Sequence, residues 1–131
     1  MELIRMRPEA LRGAVKRRAP VLIPFGATEY HAEHLPLGTD TLIAEGLCRR
    51  VAKRAGAVLA PLIPYAPTMH WAGGSRDGDV DFPPDALSPY LEAMFQSLIN
   101  MGFRRIYVVC GHQGRDGMPA TLARAALHRV Q

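Results

Sequence analysis

The thirteen residues Thr28–Asp40 hold three carboxylates and two imidazoles, and an apolar run, Val21–Phe25, ends just before them at Gly26. The run is short and almost entirely apolar, which predicts a buried β-strand. Open α/β sheets place their ligand sites outside the carboxyl ends of their strands. The position of the polar cluster therefore predicts a functional loop at the end of the first strand.

Strands and helices alternate along the remainder of the chain. Further apolar strands are predicted at 57–60 and 105–110, and helices at 8–18, 39–55, 88–102 and 119–130. This alternation predicts a layered α/β/α fold with a mainly parallel central sheet and right-handed connections. In the helix at 39–55 we expect Ile43, Leu47 and Val51 to face the core.

A chain of 131 residues, 48% of them hydrophobic, has room for one domain, which we predict over residues 1–131. The net charge is +4, but the basic residues form no dense block with interleaved aromatics, so nucleic acid is not an expected partner. No apolar run has the length of a membrane span or a signal peptide, so no membrane partner is expected. The two cysteines suggest no disulfide framework, which fits a reducing cytoplasm.

A second polar loop, Gly111–Gly117, follows the last predicted strand. The carboxyl ends of parallel strands share one edge of a sheet, so this loop can meet the first one although about eighty residues separate them. The two loops would then bring four possible ligands to one cation: Glu29, His31, Asp40 and His112. Mixed imidazole and carboxylate ligands suit zinc first, with manganese or iron as alternatives, whereas calcium and magnesium prefer oxygen alone.

Several of these residues also have plainer explanations. Asp40 could be only the cap of the helix that follows it, and His112 could be a solvated loop histidine. Cys110 could be a metal ligand, a buried thiol at a strand end, or the nucleophile of a cysteine hydrolase activated by His112, two residues along the strand. Cys48, inside a predicted helix, is expected in the core.

The long loop from Thr68 to Pro84 is rich in glycine, proline and aspartate. A loop of this length in a compact domain is usually either functional or disordered. It carries His70 and Trp71, which could line a substrate pocket, although an aromatic residue that anchors the loop is an equally good explanation for Trp71.

Three segments resemble a known family. Gly26–Asp40, which reads G-A-T-E-Y-H-A-E-H-L-P-L-G-T-D, resembles the signature loop of the creatininase (creatinine amidohydrolase) family, G-S-T-E-Q-H-G-P-H-L-P-L-G-T-D. Farther along, Gly102–Ile106 and Cys110–Arg115 are similar to the family's G-F-R-R-I and N-G-H-G-G-N elements, in the same order and at a similar separation. The resemblance extends over nearly the whole chain.

The resemblance implies a metal-dependent hydrolase of amide-type C–N bonds, often oligomeric and with two divalent ions in each site. It implies that Glu29 and His112 hold one ion, that His31 holds the second and that Asp40 bridges them. Such a pair of ions activates a shared water and polarises the scissile carbonyl. Around these ligands, Glu33 replaces the family's proline and His34 keeps its histidine, so each could support the metal ligands through hydrogen bonds.

The sequence departs from the family pattern at positions that bear on catalysis. Gly114 stands where creatininase has a glutamate two residues after the ligand histidine, and Cys110 and Arg115 replace the asparagines of the second motif. Family members are about twice as long, and their later half contributes further catalytic groups, including a histidine. His70 is the residue of this chain that could take over that acid–base role.

Two hypotheses follow. In the first, a divalent metal activates water against a small amide, cyclic amide or formamide, with Glu29 and His70 as catalytic groups and a homo-oligomeric assembly. In the second, the chain is a degenerate or truncated family member without catalysis, which serves as an oligomer-forming or partner-binding subunit. An exposed sheet edge left by the shorter chain would favour pairing with a neighbouring subunit.

Overall fold

The computed structural model describes residues 1–70 and 73–130, and within them a three-stranded sheet is flanked by four α-helices. The strands are β1 (Val21–Phe25), β2 (Val58–Leu59) and β3 (Ile106–Cys110), arranged in the order β2-β1-β3. The helices are α1 (Pro8–Lys16), α2 (Thr39–Ala55), α3 (Pro84–Asn100) and α4 (Met118–Arg129). No helix of the described residues combines the length and apolar character needed to cross a membrane.

The sheet is parallel and has helices on both faces, which confirms the predicted fold class. Val21 of β1 pairs with Val58 of β2, and Phe25 of β1 pairs with Cys110 of β3. Alternate residues of β1 enter opposite layers, as the pleat requires. Val21, Ile23 and Phe25 pack with α1, α3 and α4 in the larger core, whereas Leu22 packs with Cys48 and Ala52 of α2 in the smaller one.

The buried face of α2 differs from the predicted one. The structure buries the small residues Thr41, Ala44, Cys48 and Ala52, and it leaves Ile43, Leu47 and Val51 exposed. The helix lies close against β1 and β2, and only short side chains fit between helix and sheet at that distance. The prediction from apolar periodicity was therefore wrong about the orientation of α2, whereas the separate expectation that Cys48 lies in the core is confirmed.

The start of α3 also differs from the prediction. The helix begins at Pro84, ahead of the predicted start at residue 88, and it encloses Pro89. Pro84 takes the first helical position, where its missing N–H costs nothing. Four apolar residues of α3 then face the core at helical spacing: Leu87, Leu91, Phe95 and Leu98.

Candidate metal centre

Two glycines bring the loops that follow β1 and β3 against the first turn of α2. A Cβ placed on Gly26 would lie 2.4 Å from Cα of Thr41, and one placed on Gly111 would lie 2.4 Å from the carbonyl oxygen of Asp40. Any larger residue would push these loops away from the helix. The two close approaches therefore determine where Asp40 lies relative to both loops.

Asp40 presents its two carboxylate oxygens to two different imidazoles. Its Oδ1 lies 3.2 Å from Nε2 of His31, and its Oδ2 lies 2.8 Å from Nδ1 of His112. The explanation of Asp40 as a helix cap does not hold, because Gly38 is the cap residue of α2 and no side chain makes a capping hydrogen bond there. The carboxylate is thus free to act at the sheet edge.

The far nitrogen of each imidazole contacts a backbone carbonyl. Nδ1 of His31 lies 3.1 Å from the Glu29 carbonyl oxygen, and Nε2 of His112 lies 3.2 Å from the Pro67 carbonyl oxygen. A carbonyl can only accept, so these contacts place a proton on each far nitrogen and leave the near nitrogen with a lone pair in the neutral ring. Those lone pairs face carboxylates, an arrangement that requires either a second proton or a bound cation between them.

Glu29 completes the cluster. Its Oε1 lies 3.1 Å from Nδ1 of His112, and its ligand atom lies within 4.8 Å of those of His31 and Asp40. Glu29 and His112 are buried, and His31 and Asp40 are partly buried. The structure thus brings the four candidate ligands together, and the donor set, two imidazoles with two carboxylates, fits a zinc- or manganese-type ion.

Two members of the cluster have raised pKa values. Burial raises the pKa of Glu29, His112 opposes that rise in part, and the negative charge of Asp40 adds to it. For His31, burial alone would lower the pKa, but the Glu29 carbonyl and the Asp40 carboxylate outweigh it and raise the pKa. Without a metal Glu29 and His31 therefore bind their protons more tightly than usual, and a divalent ion that takes both groups as ligands must displace those protons.

The loop predicted to be functional or disordered is ordered by backbone contacts wherever it is described. Asp81 Oδ1 accepts hydrogen bonds from the N–H groups of Thr68 and Met69, at 2.8 and 3.1 Å. The N–H of Val80 donates to the Thr28 carbonyl at 2.9 Å. The bonds of Asp81 close the loop on itself, and the bond from Val80 joins it to the segment that carries Glu29 and His31.

Asp79 is a residue near the centre that sequence reasoning missed. Its side chain is fully buried, its Oδ1 accepts the N–H of Tyr30 at 2.6 Å, and its Oδ2 lies 3.5 Å from Nδ1 of His70. His70 itself is 43% exposed. The arrangement places a half-exposed imidazole, backed by a buried carboxylate, beside the loop that holds two of the candidate ligands.

Cys110 contacts the backbone of His112, not its ring. Its Sγ donates to the His112 carbonyl oxygen at 2.9 Å, while the two ring nitrogens of His112 face Asp40 and Pro67. Burial raises the pKa of the Cys110 thiol, which disfavours the thiolate. This geometry gives no support to a Cys110–His112 nucleophilic pair, and it agrees with the simpler interpretation of a thiol at a strand end.

The other predicted supporting residues lie farther out. Glu33 and His34 are both exposed, and Glu33 accepts a hydrogen bond from the Tyr30 hydroxyl at 3.0 Å. Glu33 therefore contacts a neighbour of the ligands instead of a ligand. Trp71, expected in the substrate pocket, falls outside the described residues.

Fold and cluster together define a parallel α/β protein with a candidate divalent-metal centre at the carboxyl ends of β1 and β3. The sequence matches the creatininase family, described as creatinine amidohydrolase, over residues 5–130. The chain belongs to this family.

Relatives of known name support the assignment. The chain is 34% identical over 123 residues to the mycofactocin precursor peptide peptidase of Mycolicibacterium smegmatis, covering 85% of this chain and 45% of the relative. It is 28% identical over 95 residues to the creatinine amidohydrolase of Pseudomonas putida, covering 70% of this chain and 36% of the relative. The chain thus spans less than half the length of either curated relative.

Solved structures show the same fold. A manganese form of creatininase superposes with a TM-score of 0.85 at 23% identity, covering 98% of this chain and 51% of that chain. A creatininase variant described as the Zn-Zn type gives a TM-score of 0.83 at the same identity and the same coverage. This chain therefore corresponds to about half of a creatininase chain.

Proposed function

We propose that this protein hydrolyses the C–N bond of a small amide, cyclic amide or formamide with a water activated by a divalent metal. The observation that carries the proposal is the position of Asp40, whose two oxygens face two imidazoles with their far nitrogens fixed on carbonyls. Secondary contacts of this kind orient histidine for metal binding. An ion pair that only stabilises the fold would need one imidazole beside the carboxylate, whereas Asp40 has two.

The roles we propose follow the contacts. Glu29, Asp40 and His112 hold one ion, because Nδ1 of His112 adjoins both carboxylates. His31 and the other oxygen of Asp40 form a second, weaker position. Zinc is the first candidate, with manganese and iron as alternatives, which agrees with the donor types and with the metals named for the related structures.

A metal bound here supplies a water of lowered pKa and polarises the substrate carbonyl. We propose that Glu29 also takes the proton from the attacking water, with one carboxylate oxygen accepting the proton while the other holds the ion. We propose that His70, which is half-exposed and has its Nδ1 3.5 Å from Asp79 Oδ2, gives a proton to the leaving nitrogen from the solvent side. The tautomer of His70 would then be fixed by the buried carboxylate.

The substrate class rests on the relatives. One is named an amidohydrolase and another a peptidase, so cleavage of an amide-type bond is the activity that their names share. We propose a small-molecule substrate, because His31 and Asp40 are only partly accessible from solvent. The two cysteines are free, which fits the reducing cytoplasm that we propose as the compartment.

Metal analysis tests the proposal. Protein purified without chelator should contain about one tightly held equivalent of zinc or manganese. Glu29→Gln and His112→Ala should lose it, whereas the matched control His34→Ala, at an exposed histidine of the same loop, should retain it. Metal-free wild-type protein that folds normally and binds no added zinc would rule the proposal out.

One observation favours a second function, a family member that binds metal without turnover. Gly114 has φ +58, and a Cβ there would lie 3.0 Å from Pro119 and 3.2 Å from Nε2 of His112. A glutamate at this position would crowd Pro119 and His112 and strain the backbone, and glycine offers no ligand, so this loop does not supply the second carboxylate that the family pattern has there. A metal-loaded protein without activity over a panel of amides, lactams and formamides would support this alternative.

A further inference from the structure

The turn that carries His70 has an unfavourable backbone conformation. Met69 and His70 follow one another in the left-handed region, with φ values of +56° and +48°. A Cβ is disfavoured in that region, and neither residue is a glycine. Two consecutive residues of this kind persist only where surrounding contacts hold them, and such strain is concentrated at functional sites. The conformation of the turn therefore needs a cause outside the two residues themselves.

Asp81 supplies the contacts that hold this turn. Its Oδ1 accepts hydrogen bonds from the N–H groups of Thr68 and Met69 at 2.8 and 3.1 Å, and from the Thr68 hydroxyl at 3.4 Å. The same hydroxyl oxygen accepts the N–H of His70 at 3.4 Å. Three successive N–H groups thus depend on one carboxylate, two of them directly and the third through the buried Thr68.

The carboxylate of Asp81 is suited to this task because it is ionised. Burial alone would raise its pKa, but the N–H donors of Met69 and Thr68 outweigh burial and lower the pKa, and the positive charge of a protonated His70 adds to that effect. Hydrogen bonds to an ionised acceptor are stronger than those to a neutral one. The charge of Asp81 therefore helps to offset the strain of the turn.

The turn places the His70 ring beside a carboxylate oxygen that lacks a hydrogen bond. Nδ1 of His70 lies 3.5 Å from Oδ2 of Asp79, whose side chain is fully buried. Within the described residues, this oxygen is the buried polar side-chain atom without a hydrogen-bond partner. A buried carboxylate is costly unless a cation or a donor compensates it. A proton on Nδ1 of His70 supplies that compensation only while the turn keeps the ring in place.

We propose that Asp81 is a positioning residue of the hydrolytic site, which acts through the Met69–His70 turn to keep the His70 ring beside Asp79. The inference rests on the proposed function, in which His70 gives a proton to the leaving nitrogen. Within the described residues, the side-chain hydrogen bonds of Asp81 go to the turn and not to a candidate ligand. Loss of Asp81 should therefore release the ring and leave the metal position intact.

Nitrogen NMR of the metal-free protein tests the position of the ring without any need for turnover. In the neutral ring of the wild type, the Asp79 carboxylate should keep the His70 proton on Nδ1. Asp81→Ala should release the turn and give the tautomer mixture of a solvated histidine. Asp81→Asn keeps an oxygen that can accept the same N–H groups, so it should retain the wild-type signals. The signals of His70 are identified by their loss in His70→Gln.

The matched control is Asp77→Asn, at an exposed aspartate of the same loop whose Oδ2 accepts the Gly74 N–H at 2.9 Å. It should leave the His70 signals unchanged. Should Asp81→Ala fail to fold, Thr68→Val removes only the hydroxyl between Asp81 and the His70 N–H and should shift the tautomer ratio in the same direction. A solvated mixture in the wild type, or wild-type signals in folded Asp81→Ala, would overturn the proposal.

Zinc binding and turnover separate this role from the proposed function. Asp81→Ala should bind zinc within about twofold of the wild type, and on an amide that the wild type hydrolyses it should lower kcat about tenfold with KM changed less than about twofold. An unchanged kcat, or a loss of zinc binding together with kcat, would overturn the positioning role. A wild type without turnover would contradict the proposed function, whereas the NMR comparison would still decide whether Asp81 positions the ring.

Discussion

Asp79 and His70 form a pair in which one partner is fully buried and the other is half-exposed, with Asp79 Oδ2 3.5 Å from His70 Nδ1. The other oxygen of Asp79 accepts the N–H of Tyr30, which lies between the candidate ligands Glu29 and His31. One buried carboxylate thus connects the long loop to the segment that carries the centre. Removal of this carboxylate should disturb both the long loop and the segment that carries the candidate centre.

We predict that Asp79→Ala lowers the free energy of unfolding by about 1–3 kcal/mol, because the Tyr30 N–H loses its acceptor. Asp79→Asn keeps an oxygen for that N–H and should cost less than the alanine substitution. Urea denaturation measures both, and Asp85→Asn, at an exposed aspartate, serves as the control with a change within about 0.5 kcal/mol. Equal stability of all three variants and the wild type would contradict a structural role for Asp79.

Gly111→Ala should damage both the fold and the centre. The added methyl group would lie 2.4 Å from the Asp40 carbonyl oxygen, so the loop after β3 must move away from α2. We expect a loss of about 1–3 kcal/mol of stability, the usual cost of overpacking, and at least a tenfold loss of zinc affinity, since His112 and Asp40 separate.

The matched control for Gly111→Ala is Gly46→Ala, in the middle of α2 with open space around its Cα. Alanine there should stabilise the helix by about 0.5–1 kcal/mol and leave zinc affinity unchanged. Calorimetry and zinc titration of both variants distinguish the two effects. A Gly111→Ala variant with wild-type zinc affinity would show that the close contact does not position the ligands.

The orientation of α2 shows what the sequence could not reveal. The spacing of apolar residues along α2 correctly predicts a helix. When the buried face is predicted from hydrophobicity, however, the larger residues Ile43, Leu47 and Val51 outweigh Ala44 and Ala52. That prediction assumes that the sheet of the same chain is the only partner of the helix. The close approach enforced by Gly26 and Gly111 selects small residues at the sheet, and it turns the larger ones toward a surface that the described residues do not cover.

For the candidate metal centre, the sequence predicted the four candidate ligands but not Asp79 beside them. Glu29, His31, Asp40 and His112 follow strands of a parallel sheet, and topology alone brings such residues to one edge. Asp79 follows no strand and contacts a residue 49 positions away, through a loop without periodicity. Its only trace in the sequence is one aspartate among several in a glycine-rich segment, so its burial could not be anticipated.

Zinc should stabilise the protein more as the pH rises. The pKa values of Glu29 and His31 are raised in the metal-free fold. Their bound protons therefore stabilise the fold fully at a pH below the ordinary pKa values of the two groups. This stabilisation is lost as the pH rises through the raised pKa values. Metal binding requires both groups without protons. The zinc-induced rise in Tm should therefore be small near about pH 5 and grow toward about pH 8.

Thermal unfolding with and without zinc across this range checks the expectation. His31→Ala removes one of the two titrating groups and should flatten the upper part of the dependence, whereas His34→Ala should leave it unchanged. A zinc effect that is constant with pH, or greatest in acid, would mean that neither proton competes with the metal.

Ala32→Gly should stabilise the protein by about 0.5–1 kcal/mol. Ala32 lies between His31 and Glu33 with φ +62, in the left-handed region that a Cβ disfavours, and the family signature has glycine at this position. The residue is exposed, so no packing is lost with its methyl group. Ala93→Gly, at an exposed alanine inside α3, should instead destabilise by about 1 kcal/mol. Urea titration of the two variants separates backbone strain beside the centre from the general cost of glycine, and losses of equal size would show that Ala32 is not strained.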